Sequence, residues 1–197
     1  ADITLEVMLQ DLAASVAHVK KVYNTQKIVL LGHSWGSVLG TQYVLCHPGD
    51  VAAYVGMGQV VNYKKGERIG FEKLQEVVAQ GGTPSQKKRL AKLAGYPVPG
   101  KEMQQMNHIR RLQMEYGFVG KKYDQLFKIA RQSPQFSLAD VLPLLPCRNA
   151  GDSGLLPYLM SYDIEDILDY PLPVFYLCVR NDWLTPSVLA ADYLSRI

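Results

Sequence analysis

Residues 27–37 read KIVLLGHSWGS, and the architecture expected for the chain follows from them. An unbroken apolar run, Ile28 to Leu31, is cut off by Gly32-His33-Ser34-Trp35-Gly36, and helix-compatible sequence follows at once. The pattern predicts a strand, a tight turn and a helix, with the turn in the form G-x-S-x-G. A glycine on each side of Ser34 removes the Cβ atoms expected to collide where a strand bends sharply into a helix. Ser34 is therefore expected to stand exposed at the turn. Ser37 and Gly40 carry the small side chains onto the helix, which lets it lie close to its sheet.

Before this stretch, Thr4 to Tyr23 holds apolar residues at Leu5, Met8, Leu9, Leu12, Val16, Val19 and Tyr23, a spacing of three and four that predicts one buried helix face. Thr4 is its expected N-cap. The strand at Lys27–Leu31 is apolar at every position from Ile28 on, which predicts burial on both faces, as in a parallel sheet. The helix after the turn, from Trp35 to Cys46, is stopped by His47-Pro48-Gly49, and a second strand is expected over Val51–Gly58. From Val60 the period changes. Glu67–Gln80, Pro84–Ala94, Lys101–Tyr116, Lys121–Arg131 and Ser137–Leu145 read as amphipathic helices separated by breakers such as Gly81-Gly82-Thr83-Pro84. Strand pattern returns only at Leu172–Val179, followed by the loop Arg180-Asn181-Asp182-Trp183-Leu184 and a last helix opened by Thr185 as N-cap and Pro186 at its first position. The expected organisation is an α/β core in two pieces, residues 1–60 and 167–197, with three parallel strands, and an all-helical insertion at 61–166 acting as a cap.

In an open parallel sheet, functional groups gather at the C-terminal ends of the strands. Ser34 sits there, beside the first N–H groups of the next helix, where a developing oxyanion can be held. A serine nucleophile needs a base, and the base needs an acid to fix its tautomer. Asp182 is in the loop at the C-terminal end of the last strand and is the candidate acid; Asp163, Asp166 and Asp169 precede that strand and read as surface charges or helix punctuation. No histidine follows Asp182. Of the four present, His18 lies off the apolar helix face, His33 is inside the turn and His47 is at a helix end. All four are poor substitutes for the base, and His108, flanking an apolar stripe in the insertion, is the only one that could hang over the site.

The segments GHSWGS and GMGQVVN, the helical insertion, and LPVFYLCVRNDWLTP with Asp182 together resemble the cap-bearing α/β-hydrolases, most closely the proline iminopeptidase-like serine hydrolases. The resemblance covers nearly the whole chain. It implies a partial α/β-hydrolase fold, Ser34 as nucleophile, Asp182 as acid and the Trp35 backbone N–H as an oxyanion donor. Two parts of the pattern have no counterpart: the N-terminal strands with their oxyanion loop, and the last strand and loop bearing the histidine. The chain is thus expected to be an internal fragment of a serine hydrolase that cleaves an ester or amide through an acyl-enzyme, inactive without its base. True proline iminopeptidases are expected to have glycine where this chain has His33, and the elbow departs from their pattern there; the expected enzyme is an esterase or a proline iminopeptidase-like, aminopeptidase-type hydrolase. A non-catalytic binding protein on the same fold is the alternative.

Composition is compatible with this reading. With 48% hydrophobic and 20% charged residues over 197 positions, the chain can bury one sizeable core. A net charge of +3 gives no ground for a nucleic-acid partner, and no apolar run approaches a membrane span. A small molecule or short peptide is the expected substrate, with neither cofactor nor metal. The charge is uneven: residues 62–166 hold 16 of the 21 lysines and arginines but 11 of the 18 acids. Clusters such as Lys87-Lys88-Arg89 and Arg110-Arg111 read as solvated helix faces, with an anionic partner as the alternative. Cys46, Cys147 and Cys178 are odd in number and lack metal-ligand spacing, so they are expected to be reduced thiols of a cytoplasmic protein.

Overall fold

Strand β1 occupies Ile28–His33, two residues past the expected Leu31, because Gly32 and His33 still pair with Gly56 and Met57 of β2 (Val51–Met57). Strand β3, Val174–Leu177, pairs with the other side of β2, so the sheet is parallel throughout and runs β1-β2-β3. The computed structural model describes residues 4–118, 132 and 155–197. The chain divides into two compact units, residues 1–71 with 154–197, and residues 72–153.

In the first unit, helix α1 (Leu5–Val22) is capped by Thr4, whose hydroxyl accepts from the Val7 N–H at 3.3 Å. Helix α2 runs from Trp35 to Cys46, the bounds read from the sequence. Both helices serve one face of the sheet, where Val16, Tyr43, Val44, Val51 and Tyr54 are buried and Leu9, Leu12, Ile28, Leu30 and Val174 pack around them. The opposite face is bare among the described residues. Val29 (63%), Leu31 (54%), Phe175 (56%) and Leu177 (51%) are exposed, and register places Leu31, Val55 and Phe175 side by side across it. Among the described residues the continuous apolar runs therefore do not mark burial on both faces; β1 and β3 alternate, β2 alternates from Ala53 on, and the layer turned toward α1 and α2 is the covered one. The stripe of α1 is likewise covered only in part: Val16 is buried, whereas Val19 and Tyr23 are exposed.

Residues 61–71 and 154–166, read from sequence as part of the insertion, belong to the unit that holds the sheet. The outgoing and returning chains meet in an antiparallel bridge between Asn62 and Asp163. The Asn62 amide donates to Asp163 Oδ2 at 2.7 Å and to Glu165 Oε2 at 3.0 Å, and Lys65 pairs with Glu165 at 2.5 Å. Beside this staple a second cluster, Val38, Val60, Val61, Tyr162, Ile164, Ala190 and Tyr193, is buried. It includes packing from α6 (Leu155–Ser161), a helix the sequence reading had left out, and α7 (Ser187–Leu194). Helix α3 spans Tyr63–Gly81, four residues earlier than the expected Glu67. In the second unit, α4 (Pro84–Ala91) opens with a full capping box, Thr83 and Gln86 each bonding the other's backbone, and α5 spans Glu102–Glu115. Among its described residues, Leu74, Val78, Leu93, Met106, Ile109 and Leu112 are the buried apolar side chains. The helices expected at Lys121–Arg131 and Ser137–Leu145, and Cys147, lie outside the described residues.

Candidate active site

Ser34 has φ 53° and ψ −119°, a left-handed backbone that a residue with a Cβ adopts at a cost of about 1–3 kcal/mol. The turn is over-determined by its surroundings. The Ser34 N–H donates to Met57 O at 3.0 Å, which prolongs the β1–β2 ladder past the last strand residue, and Ser34 O accepts from the Ser37 N–H at 2.8 Å and the Ser37 hydroxyl at 2.6 Å. Ser34 itself is exposed, at the N-cap of α2. Trp35 is the first residue of that helix, where backbone N–H groups have no intrahelical acceptor.

The two glycines of the pentapeptide do unequal work. A Cβ on Gly32 would run into the carbonyl oxygen of Gly36 and lie 2.9 Å from both Gly36 C and Ser37 Cα, so nothing larger fits. A Cβ on Gly36 would meet nothing within 4 Å. The expectation that both glycines relieve a collision holds for Gly32 alone, because the first turn of α2 folds back over Gly32 while the Cα of Gly36 faces outward.

The next strand ends at the same edge. Gly58 has φ 56°, and a Cβ there would lie 2.9 Å from Thr185 Oγ1, 3.5 Å from Asp182 Oδ2 and 3.9 Å from His33 Cδ2. Only glycine meets both demands. Those distances also locate the groups: Asp182, in the loop after β3, and His33, at the end of β1, converge on the end of β2, one residue from Ser34. The Asp182 carboxylate is held by its own loop, Oδ1 accepting from the N–H groups of Leu184 (3.0 Å) and Thr185 (2.9 Å) and Oδ2 from the Thr185 hydroxyl (2.7 Å). This corrects the sequence reading of Thr185. It does not cap the last helix, whose N-cap is Pro186 with no side-chain cap bond; its hydroxyl donates to Asp182 Oδ2.

The other histidines lie apart from this edge or in the other unit. His47 caps the far end of α2 and stacks on Tyr43 with ring centroids 4.6 Å apart, and His18 is exposed on α1. His108 belongs to the second unit, where its Nδ1 bonds the Gln104 carbonyl at 2.8 Å. Asp163, which the sequence places before the last strand, bridges Asn62, five residues past the end of β2; it accepts from the Asn62 amide and from the Glu165 N–H, a turn role. Among the described residues, no group of three or more His, Cys, Asp or Glu side chains is placed to hold a metal ion, and no helix is long and apolar enough to cross a membrane.

Behind the turn lies a buried polar network that sequence reasoning missed. The Tyr54 hydroxyl, fully buried, bridges Ser37 O (3.1 Å) and Gln59 Oε1 (2.9 Å), and the Gln59 amide nitrogen donates to Thr41 Oγ1 (3.2 Å) and Val60 O (2.8 Å). Ser37 Oγ in turn accepts from the Val60 N–H at 3.0 Å. The loop after β2 is thus tied to the first turns of α2, so the Ser34 backbone cannot relax without breaking buried hydrogen bonds, each costly to leave unmade. Burial raises the Tyr54 hydroxyl well above its ordinary pKa and keeps it protonated as a donor. Gly40 makes room for this ring, its absent Cβ lying 2.6 Å from Tyr54 Cε2. A loop glutamine is ordinarily solvated, so nothing in the sequence around Gln59 pointed to it.

The chain as a whole is similar to known proteins. The probable aminopeptidase YbaC of Bacillus subtilis (strain 168) is 18% identical over 179 residues, 89% of this chain and 56% of that protein. The crystal structure of VinJ superposes with a TM-score of 0.55 at 16% identity, over 98% of this chain and 62% of VinJ, which makes the fold an α/β-hydrolase fold present in part. The chain thus spans little more than half the length of the curated relative it matches. Residues 4–138, well over half of the chain and including the turn at Ser34, match the family described as serine aminopeptidase, S33, and the chain belongs to that family of hydrolases.

Proposed function

We propose that Ser34 is the nucleophile of a serine hydrolase that transfers an acyl group from a small ester or short peptide to water through an acyl-enzyme. The single observation that carries this reading is the left-handed backbone of Ser34, held in place by Met57 and Ser37 and leaving the side chain exposed at the mouth of α2. Strain of this kind persists where the surrounding structure enforces it, and it clusters at functional sites. In the proposed reaction, Ser34 Oγ attacks the substrate carbonyl and its proton passes to a base. The Trp35 N–H, at the positive end of the helix, stabilises the oxyanion of the tetrahedral intermediate. Asp182 holds the base in the right tautomer and stabilises it once charged; its bonds to the Leu184 and Thr185 N–H groups and to the Thr185 hydroxyl keep the carboxylate oriented.

The base is proposed to be a histidine from the part of the protein outside these 197 residues, as a relative of nearly twice the matched length allows. Aminopeptidase-like cleavage is the favoured specificity, on the strength of the family and of YbaC.

The test is active-site labelling of the full-length protein with a fluorophosphonate, alongside turnover of p-nitrophenyl esters and aminoacyl-nitroanilides. Ser34→Ala should abolish both, and Asp182→Asn should lower kcat by about 10⁴-fold with the fold intact. Labelling that survives Ser34→Ala would refute the assignment.

A further inference from the structure

We propose that the second unit carries a binding site for a small organic anion with an apolar body, a phosphate or carboxylate on a short aliphatic or aromatic chain, in the cleft between α4 and α5. The cleft has a volume of about 590 Å³, within the range of roughly 300–1,000 Å³ typical of small-molecule sites. Among the described residues, Arg89, Lys92, Lys101 and His108 line it and no carboxylate does. Leu93, Val98 and Leu112 supply an apolar lining, Leu93 and Leu112 from the buried core of the unit.

Among the described residues, the charge is neutralised only in part. Arg89 pairs with Glu115 at 2.6 Å, outside the cleft lining, but among the described residues the ammonium groups of Lys92 and Lys101 have no partner. The His108 ring uses Nδ1 on the Gln104 carbonyl, an acceptor only, so that nitrogen carries the proton and Nε2 remains as the ring's other polar atom. Residues 72–153 as a whole hold 13 lysines and arginines against 7 acids, so the cleft sits in the cationic part of the chain. A positive potential over a low-dielectric floor concentrates anions.

The cleft is also preformed. Its rim, the connection from Lys92 to Lys101, is fixed from inside by Gln105, a buried side chain whose Oε1 accepts from the Val98 N–H at 2.8 Å. Lys101 N–H closes back on Val98 O at 2.9 Å. One lysine is therefore held at each end of a loop pinned in its middle, and a ligand need not spend binding energy on ordering it. The basic surplus read from the sequence as a solvated face resolves into two kinds: Lys87 and Lys88, exposed on α4 and absent from the cleft, and Lys92 with Lys101, which face an apolar floor.

This site is independent of the chemistry assigned to Ser34, and its test is binding, not turnover. Octyl phosphate, below its micellar concentration, should titrate the protein calorimetrically with saturation at one equivalent, and octyl glucoside, with the same chain and no charge, should not. Lys92→Gln with Lys101→Gln should weaken octyl phosphate binding by about tenfold or more, as expected for loss of charge-assisted contacts. Lys87→Gln with Lys88→Gln removes the same net charge and should change the affinity less than twofold. The proposal is overturned by non-saturating binding, by equal loss in the two double variants, which would mean diffuse attraction to a basic surface, or by equal affinity for octyl glucoside.

Discussion

Alanine at Gly32 and at Gly36 should act in opposite directions, although the two glycines frame the same serine. At position 32 the new methyl group would meet backbone on three sides, the Gly36 carbonyl oxygen and, at 2.9 Å each, Gly36 C and Ser37 Cα. Backbone cannot rotate away as a side chain can. Relief requires moving the first turn of α2, which is fastened by Ser34 N–H to Met57 O and by the Ser37 hydroxyl to Ser34 O and Val60 N–H. The cost should sit at the top of the range for overpacking, about 3 kcal/mol, a fall in melting temperature of roughly 10 °C. At position 36 the methyl group enters open space within a helix. Alanine there should stabilise by up to about 1 kcal/mol, the difference in helix propensity. Urea unfolding followed by tryptophan fluorescence reads the right part of the molecule, because the chain's two tryptophans, Trp35 and Trp183, both belong to the unit that holds the sheet. A Gly32→Ala protein within 1 kcal/mol of the parent, or equal destabilisation by the two substitutions, would refute the steric account of the turn.

Acid should weaken the first unit. Asp50 is held below its ordinary pKa by hydrogen bonds from Lys20 and then Tyr43, and Glu165 by Lys65, with Asn62 adding to it. Depressed carboxylates stabilise above their unfolded values, near 3.8 and 4.5, and that contribution is lost as pH falls through the folded values. The urea midpoint should therefore decline below about pH 4.5, and Asp50→Asn with Glu165→Gln should flatten that decline; an unchanged slope would show that these pairs are energetically silent. Lysine at Leu31 together with lysine at Phe175 should change stability by less than about 0.5 kcal/mol per site, the usual effect at exposed positions, measured by the same urea titration. Losses of several kcal/mol would mean that this sheet face is buried in solution.

Much of the local structure was legible in the residues. The helix Trp35–Cys46, the Thr4 cap, and three strands at their approximate positions follow from periodicity and from stops such as Pro48, because each depends on neighbours within a few positions. The candidate nucleophile was legible for the same reason: a serine between glycines at the junction of an apolar run and a helix is a local pattern. Asp182 was legible as a loop carboxylate at the C-terminal end of a strand, and the resemblance to cap-bearing hydrolases pointed to the fold that the VinJ superposition bears out.

Contacts between distant segments were not legible. Gln59 looks like any loop glutamine until Tyr54, Ser37 and Thr41 close around it. The apolar runs Ile28–Leu31 and Leu172–Val179 tell that a strand can be buried on both faces, but whether it is depends on what packs there, and α1 and α2 cover only one. Residue order encodes conformational preference over a turn or two of chain; which side chains become partners depends on segments far apart in sequence meeting, and that information exists only once the chain is folded.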